Sequence, residues 1–299
     1  LTKRYNEVSL PYVETVDMRQ ELKNGNRTII SSKLYESMRE QLQAKRQVML
    51  LLNRRGYSTF ISCRECGYVA RCPHCGLSLT YHRNKEKGVC HYCGYEEAAP
   101  HVCPECGGKY IRYFGSGTEK VEETIEELFP EYTADRLDLD TVKKKGELQR
   151  KLKSFQKGRT DILIGTQLIA KGLDFRNVGL VGIISADVSL NIPDFRSPER
   201  AFQLITQAAG RAGRGEEPGR VIIQTYSPEH YAIQFAADQD YEGFFSEEII
   251  LRRYMEYPPY SDLIQIMFMA KTAEAAGEAA QDWHDRIASR IGNEDRKNV

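Results

Sequence analysis

Asp161-Ile162-Leu163-Ile164-Gly165-Thr166-Gln167, then Ala170-Lys171-Gly172-Leu173-Asp174-Phe175, the apolar run Val178–Ala186, and Gln207-Ala208-Ala209-Gly210-Arg211-Ala212-Gly213-Arg214 together decide how this chain is read. Short continuous apolar runs bounded by Gly and polar residues mark parallel strands buried on both faces. Glycine-rich turns just past such strands let backbone come close to phosphate or ribose. Arg211 and Arg214 are spaced i, i+3, which puts them on one face of a helix. Arginines held on a rigid element neutralise charge on a transferring γ-phosphoryl group in many ATPases. Gln207 and Gly210 stand at fitting helical offsets from them, so the stretch reads as half of a nucleotide-driven motor. The competing reading makes both arginines plain surface charges.

Two other features of the stretch say less. Val181–Asp187 looks like an apolar strand ending in an acid, but Asp187-Val188 lacks the adjoining Glu that would position water, and Asp187 is expected to pin a loop. Lys171 is no phosphate lysine, because nothing matches G-x-x-x-x-G-K-[ST].

Upstream, Ser31-Ser32 caps a helical pattern in which Leu34, Met38 and Leu42 recur in steps of four. Val48–Leu52 is a continuous apolar strand ending in Asn53-Arg54-Arg55-Gly56, where basic residues and Gly are placed to meet a phosphate. On pattern alone, Arg54 and Arg55 read equally well as solvated loop charges. Strands are expected at Tyr110–Phe114 and Arg136–Asp138, with helices at Val121–Phe129 and Gly146–Gly158. The segment from Tyr241 reads as an aromatic helix, the break Pro258-Pro259, a strand at Leu263–Ala270 and an Ala-rich helix.

Periodicity is absent from Ile61 to Gly108, where Cys63–Cys66, Cys72–Cys75, Cys90–Cys93 and Cys103–Cys106 form four C-x-x-C knuckles, each followed by Gly. Two thiolates at that spacing bind one tetrahedral Zn²⁺, and the Gly accepts the positive φ of the tight turn. Five residues separate the first two knuckles, a short tether beside the ~15–20 usual in a zinc ribbon, whereas fourteen lie between Cys75 and Cys90. These gaps predict nesting: Cys63, Cys66, Cys103 and Cys106 on an outer zinc, Cys72, Cys75, Cys90 and Cys93 on an inner one. Sequential pairing is the alternative. Closed Cys₄ shells are structural, and His74, His82, His91 and His101 are read as surface groups. Arg64, Arg71, Arg83, Lys85 and Lys87 lie among Tyr68, Tyr81, Tyr92 and Tyr95, a mixture suited to nucleic acid, though interspersed glutamates suit a protein-docking surface equally.

The 42 Lys and Arg balance the 42 Asp and Glu over 299 residues, so nucleic-acid contact must come from a local patch. No apolar run approaches the ~20 residues of a membrane span, and no signal-peptide design is present. A cytoplasmic location and no membrane partner are expected. The chain opens at Leu1-Thr2-Lys3 without Met and reads as a fragment.

Leu51-Leu52-Asn53-Arg54-Arg55-Gly56, the eight cysteines, Gly115-x-Gly117-Thr118-Glu119, Ile164-Gly165-Thr166-Gln167, Ala170-Lys171-Gly172, Asp194-Phe195-Arg196-Ser197-x-Glu199-Arg200 and the Gln207–Arg214 element together resemble the bacterial primosomal replication-restart DNA helicases, the PriA family of superfamily 2. The likeness covers nearly the whole chain, whereas the Gln207–Arg214 pattern alone would indicate only the superfamily. It implies an α/β fold: a RecA-like helicase lobe 2 with a parallel sheet (1–60 and 109–238), interrupted by a two-zinc Cys₄/Cys₄ insertion (61–108). A linker helix and the start of a small α+β C-terminal domain follow (239–299).

The resemblance further implies a 3′-to-5′ ATP-dependent helicase that recognises stalled replication forks and promotes primosome assembly and replication restart. Arg211, Arg214 and Gln207 would serve catalysis on ATP and Mg²⁺ gripped by a separate lobe. Gly172, Asp174 and Gly210 would face the nucleotide, and Thr166, Arg54 and Arg55 the DNA. Implied partners are forked and single-stranded DNA, primosome proteins and single-strand DNA-binding protein, in the nucleoid. The Walker A lysine, the DEAH-type acid pair and the family's N-terminal DNA-binding domains have no counterpart in these residues, so the chain alone is expected to be inactive. The rival readings are a non-catalytic zinc-ribbon interaction module and a translocase that moves along duplex without separating it.

Overall fold

A computed structural model describes residues 10–52, 60–82, 85–113, 118–138, 146–170, 175–213, 218–264, 266–270 and 272–290. In chain order, β1 (Tyr12–Asp17), α1 (Met18–Lys23), α2 (Ser32–Gln43) and β2 (Gln47–Leu51) come first. The cysteine-rich segment holds β3 (Ile61–Cys63), β4 (Thr80–His82), β5 (Lys87–Val89), β6 (Glu96–Ala98) and β7 (Ile111–Tyr113). Then follow α3 (Thr118–Leu128), β8 (Ala134–Leu137), α4 (Glu147–Gln156), β9 (Ile162–Gly165), α5 (Gln167–Ala170), β10 (Val178–Ile183), α6 (Asp187–Leu190), α7 (Ser197–Ala209), β11 (Arg220–Thr225), α8 (Tyr231–Asp238), α9 (Tyr241–Tyr254) and α10 (Ala273–Arg290).

Six of these strands form one parallel sheet in the order β1-β11-β10-β2-β9-β8. The central strands are buried along their whole length, as the unbroken apolar runs require. Alternate side chains feed two cores. Met49, Leu51, Leu163, Val181, Ile183, Val221 and Ile223 pack with α4, α7 and α8, while Val48, Leu50, Ile162, Ile164, Leu180 and Ile222 pack with α2 and α3. Ser31 caps α2 as the sequence suggests, its Oγ accepting from the Leu34 N–H at 3.1 Å.

Gln224, fully buried on β11, ties three segments together. Its Oε1 accepts from the Ser31 N–H at 2.7 Å, and its Nε2 donates to the carbonyls of Ile29 (2.8 Å) and Ile184 (3.0 Å).

Two expected strands turn out differently. The run at 110–114 does not rejoin the parallel sheet: Ile111–Tyr113 pairs antiparallel with Ile61–Cys63 and closes the stem of the cysteine-rich insertion. The run at 263–270 forms no strand among its described residues. It has no neighbouring strand there to accept its backbone bonds, and Ile264 and Met269 are almost fully exposed.

The chain divides into two compact units, 1–251 and 252–299. The start of α9 belongs to the first unit because Phe244 stacks on Phe202 (centroids 4.3 Å apart) and Glu248 accepts from the Tyr231 hydroxyl at 2.5 Å. Within the second unit, Arg253 lies over the Tyr260 ring, and Phe268 approaches Trp283 of α10.

Replacing Gln224 by Leu strands the buried Ser31 N–H, the buried Ile184 carbonyl and the half-buried Ile29 carbonyl. At ~1–3 kcal/mol for a buried unsatisfied group, Gln224→Leu should lower stability by about 3 kcal/mol or more in urea unfolding. A loss below about 1 kcal/mol would show that the suture carries no weight.

Candidate metal centres and nucleotide half-site

The four knuckles share one backbone design. The N–H of Gly67, Gly76, Gly94 and Gly107 donates to the carbonyl of the first Cys of its own pair, at 2.9–3.0 Å, and each Gly has positive φ. The first Cys N–H donates in turn to the carbonyl five residues on, at Tyr68, Leu77, Tyr95 and Gly108. This closed turn aims both sulfurs of a pair the same way.

The grouping of the sulfurs is nested. Cys63, Cys66, Cys103 and Cys106 lie within 4.8 Å of one another, and so do Cys72, Cys75, Cys90 and Cys93. Sulfur separations of 3.7 Å (Cys63–Cys106), 3.5 Å (Cys66–Cys103) and 3.4 Å (Cys72–Cys93) come close to the ~3.8 Å of a tetrahedral shell with ~2.3 Å zinc–sulfur bonds. Burial pushes the thiols of Cys66 and Cys75 upward in pKa, a bias that thiolate ligation of a dication reverses. The donor set therefore fits Zn²⁺. The apolar core around it is small, centred on Ile61, Ala70, Leu79 and Ala99, which is why such a module needs staples. Tyr68, Tyr81 and Tyr95 pack on that core and are not free stacking platforms, whereas Tyr92 is exposed.

The insertion leaves the sheet after β2, so it emerges at the carboxyl edge of the strands, and polar contacts hold it there. Arg64, 4% exposed, donates through Nε to the Tyr226 hydroxyl at 2.6 Å. Tyr226 is fixed in turn by Asp187, whose buried carboxylate accepts from the Tyr226 N–H (3.1 and 3.0 Å) and the Thr225 hydroxyl (3.0 Å). Asp187 thus pins the exit of β11. Arg19 grips Asp17 and Glu229 and donates to the Cys66 carbonyl at 3.3 Å. The inner knuckle meets the turn before α7: Ser78 Oγ donates to the Asn191 carbonyl at 2.7 Å and Arg71 to Asn191 Oδ1 at 3.4 Å. In that turn, burial would raise the Asp194 carboxyl, but hydrogen bonds from Arg196 and an ion pair with Arg200 hold it below the usual range.

The other candidate residues divide between the two edges of the sheet. Thr166 directly follows the last residue of β9 at the carboxyl edge, its N–H donating to the Leu137 carbonyl at 3.4 Å. Gln207 lies exposed on the last turn of α7, Gly210 ends the helix, and Arg211 follows it half-buried. Just beyond, the Gly213 N–H donates to the Val178 carbonyl at the entry of β10, which puts this turn at the amino edge. A Cβ on Gly213 would lie 2.0 Å from the Gly219 nitrogen, so only Gly fits. At ~3.3 Å per residue, the six residues of β10 separate the edges by about 20 Å. Arg54, Arg55, Lys171, Gly172, Asp174 and Arg214 lie outside the described residues. Sequence reasoning passed over Arg19, Tyr226 and Asn191 as docking residues, since no local pattern distinguishes a Tyr or Asn that meets a partner more than 100 positions away.

The fold and motifs define the class. Residues 102–216 match the helicase conserved C-terminal domain, and residues 72–97 match the PriA DNA helicase Cys-rich region domain. The chain belongs to the PriA family. It is 54% identical over 260 residues to replication restart protein PriA of Bacillus subtilis, covering 87% of this chain and 32% of that protein. The corresponding protein of Synechocystis is 49% identical over 268 residues (88% and 32%), and that of Treponema pallidum 42% over 291 (97% and 43%). The chain thus spans about a third of the length of the first two relatives. Among solved structures, RecG bound to a three-way DNA junction matches at 12% identity and a TM-score of 0.44, over 84% of this chain and 23% of that one. No helix among the described residues is long and apolar enough to cross a membrane.

Two double variants read out the grouping. Cys66→Ser with Cys103→Ser strips one cluster under nesting and should cost one zinc equivalent per chain by elemental analysis. Cys66→Ser with Cys75→Ser should cost two. The reverse pattern would establish sequential pairing.

A pH test follows from two groups near the docking edge. Burial, and then Arg71, lower the His230 pKa to about 4; its Nδ1 accepts from the Ala232 N–H. His230 therefore contributes stability that is fully present above pH ~6.5 and lost as pH falls toward 4, by up to about 3 kcal/mol. Burial raises Asp187 to about 6, so its contribution is fully present below pH ~3.8 and lost as pH rises through 6. Between pH 6.5 and 4, His230→Asn should gain on the wild type in urea unfolding and Asp187→Asn should lose ground. Parallel curves for all three proteins would contradict both assignments.

Proposed function

We propose that the chain is the second lobe of an ATP-dependent 3′-to-5′ DNA helicase that recognises stalled replication forks and promotes primosome assembly and replication restart. ATP with Mg²⁺ would be gripped by a separate first lobe. On closure, Arg211 and Arg214 would supply positive charge to the γ-phosphoryl, with Gln207 beside them and Gly210, Gly172 and Asp174 facing the nucleotide. A fixed guanidinium in a water-poor cleft stabilises charge that develops only in the transition state.

At the opposite edge, Thr166, Arg54 and Arg55 would track the strand backbone. Cys63, Cys66, Cys103 and Cys106 would hold one structural zinc and Cys72, Cys75, Cys90 and Cys93 the other. Zinc would supply folding energy there and no reactive position. Forked and single-stranded DNA, primosome proteins and single-strand DNA-binding protein are the partners, in the cytoplasm at the nucleoid.

The observation that carries this reading is the end of α7. Gln207 stands exposed on the last turn of α7, and Gly210 and the half-buried Arg211 follow it directly, so the three lie together at one end of the helix.

In the full-length protein, Arg211→Ala should lower DNA-stimulated ATP turnover by about 10³-fold, on the scale of arginine-finger losses, with nucleotide affinity changed far less. Turnover within about tenfold of the wild type would rule out the role.

A further inference from the structure

His82 closes β4, and His91 sits between Cys90 and Cys93 in the third knuckle. Neither belongs to a cysteine cluster. Their Nε2 atoms nevertheless face each other at 3.3 Å, with ring centroids 5.1 Å apart and planes inclined by 56°. Two imidazole nitrogens on one tetrahedral cation, each ~2.0–2.1 Å from it, stand about 3.3 Å apart. The same 3.3 Å lies beyond the ~2.7–3.2 Å at which N–H···O hydrogen bonds form. The cysteine clusters in the same module show the same property, ligand atoms converged to near the spacing of a metal shell.

The surroundings are compatible with a cation. Lys87 is the cross-strand partner of His82, but its ammonium is paired with Glu96 at 2.9 Å, and Lys85 reaches the same carboxylate at 3.6 Å. His91 is exposed and His82 half-buried, so solvent reaches the pair. Among the described residues no third thiol, carboxylate or imidazole joins them. Two protein ligands leave positions for water, the arrangement of an exchangeable site and not of a closed structural one.

We propose that His82 and His91 form a third metal site, which binds a borderline divalent transition cation such as Zn²⁺, Ni²⁺ or Cu²⁺ and links the end of β4 to the knuckle of Cys90 and Cys93. Imidazole donors select these ions over Mg²⁺ and Ca²⁺, which prefer oxygen. The inference rests on the reading of the inner cluster as a zinc site, because that cluster fixes the backbone carrying His91.

The test uses the untagged chain holding two zinc per molecule by elemental analysis, titrated with Ni²⁺ by calorimetry. One further equivalent should bind with the zinc content unchanged, and Mg²⁺ at the same concentration should not. His82→Gln and His91→Gln should each weaken nickel binding by about tenfold or more while retaining both zincs, and the double variant should abolish it. Two-zinc protein that takes up no nickel, or uptake that survives both substitutions, overturns the site. The zinc analysis of the same samples separates that result from a failure of the cysteine clusters to hold metal.

Discussion

The buried carboxylate of Asp187 is the constraint on which the attachment of the cysteine-rich module depends. An ionised carboxylate out of water is costly, and the Tyr226 N–H and the Thr225 hydroxyl offset part of that cost while burial still holds its pKa up at about 6. Those bonds freeze the exit of β11 and present the Tyr226 ring to the module. Arg64 then lies 5.4 Å from that ring's centre and donates to its hydroxyl, and Gly67 approaches the Tyr226 carbonyl so closely that a Cβ there would lie 2.3 Å from the oxygen. The module is therefore seated on the sheet by its own first knuckle, with Arg19 and Asn191 as further points of attachment, and does not hang from its two connections alone.

Parallel strands give the sheet two chemically different edges, and the candidate site uses both. Every connection that leaves a strand does so at the carboxyl edge, where Thr166, Tyr226 and the whole cysteine-rich insertion gather. The return of α7 carries Gln207, Gly210 and Arg211 to the amino edge, and the Gly213 N–H locks that turn to the start of β10. Under the proposed function, positive charge would meet a nucleotide at one end while a polymer passes the other.

Much of this was legible in the residues themselves. Leu34, Met38 and Leu42 recur on a helical period and all three are buried in α2; Val48–Leu52 is uniformly apolar, and its first four residues lie in β2, one of the two central strands. Cysteine spacing was readable because a five-residue tether and a fourteen-residue loop differ in what they can close. Long-range choices were not readable. The strand-like segment at 110–114 carries no sign of whether its partner is the parallel sheet or Ile61–Cys63. The β-rich run at 263–270 satisfies strand propensity yet has no strand beside it among the described residues, and propensity cannot supply one. Tyr68, Tyr81 and Tyr95 look like stacking residues by composition, but a module with so few aliphatic side chains uses them as core. The pairing of Arg64 with Tyr226 spans 162 positions and leaves no periodic trace.

The division of labour between the two edges is the central claim, and amide hydrogen exchange on the full-length protein tests it most directly. A non-hydrolysable ATP analogue alone should slow exchange at Gly210–Gly213, and a single-stranded oligonucleotide alone should slow it at Thr166 and the carboxyl ends of β2 and β9. Protection by both ligands at a single edge, or the two patterns interchanged, would contradict it.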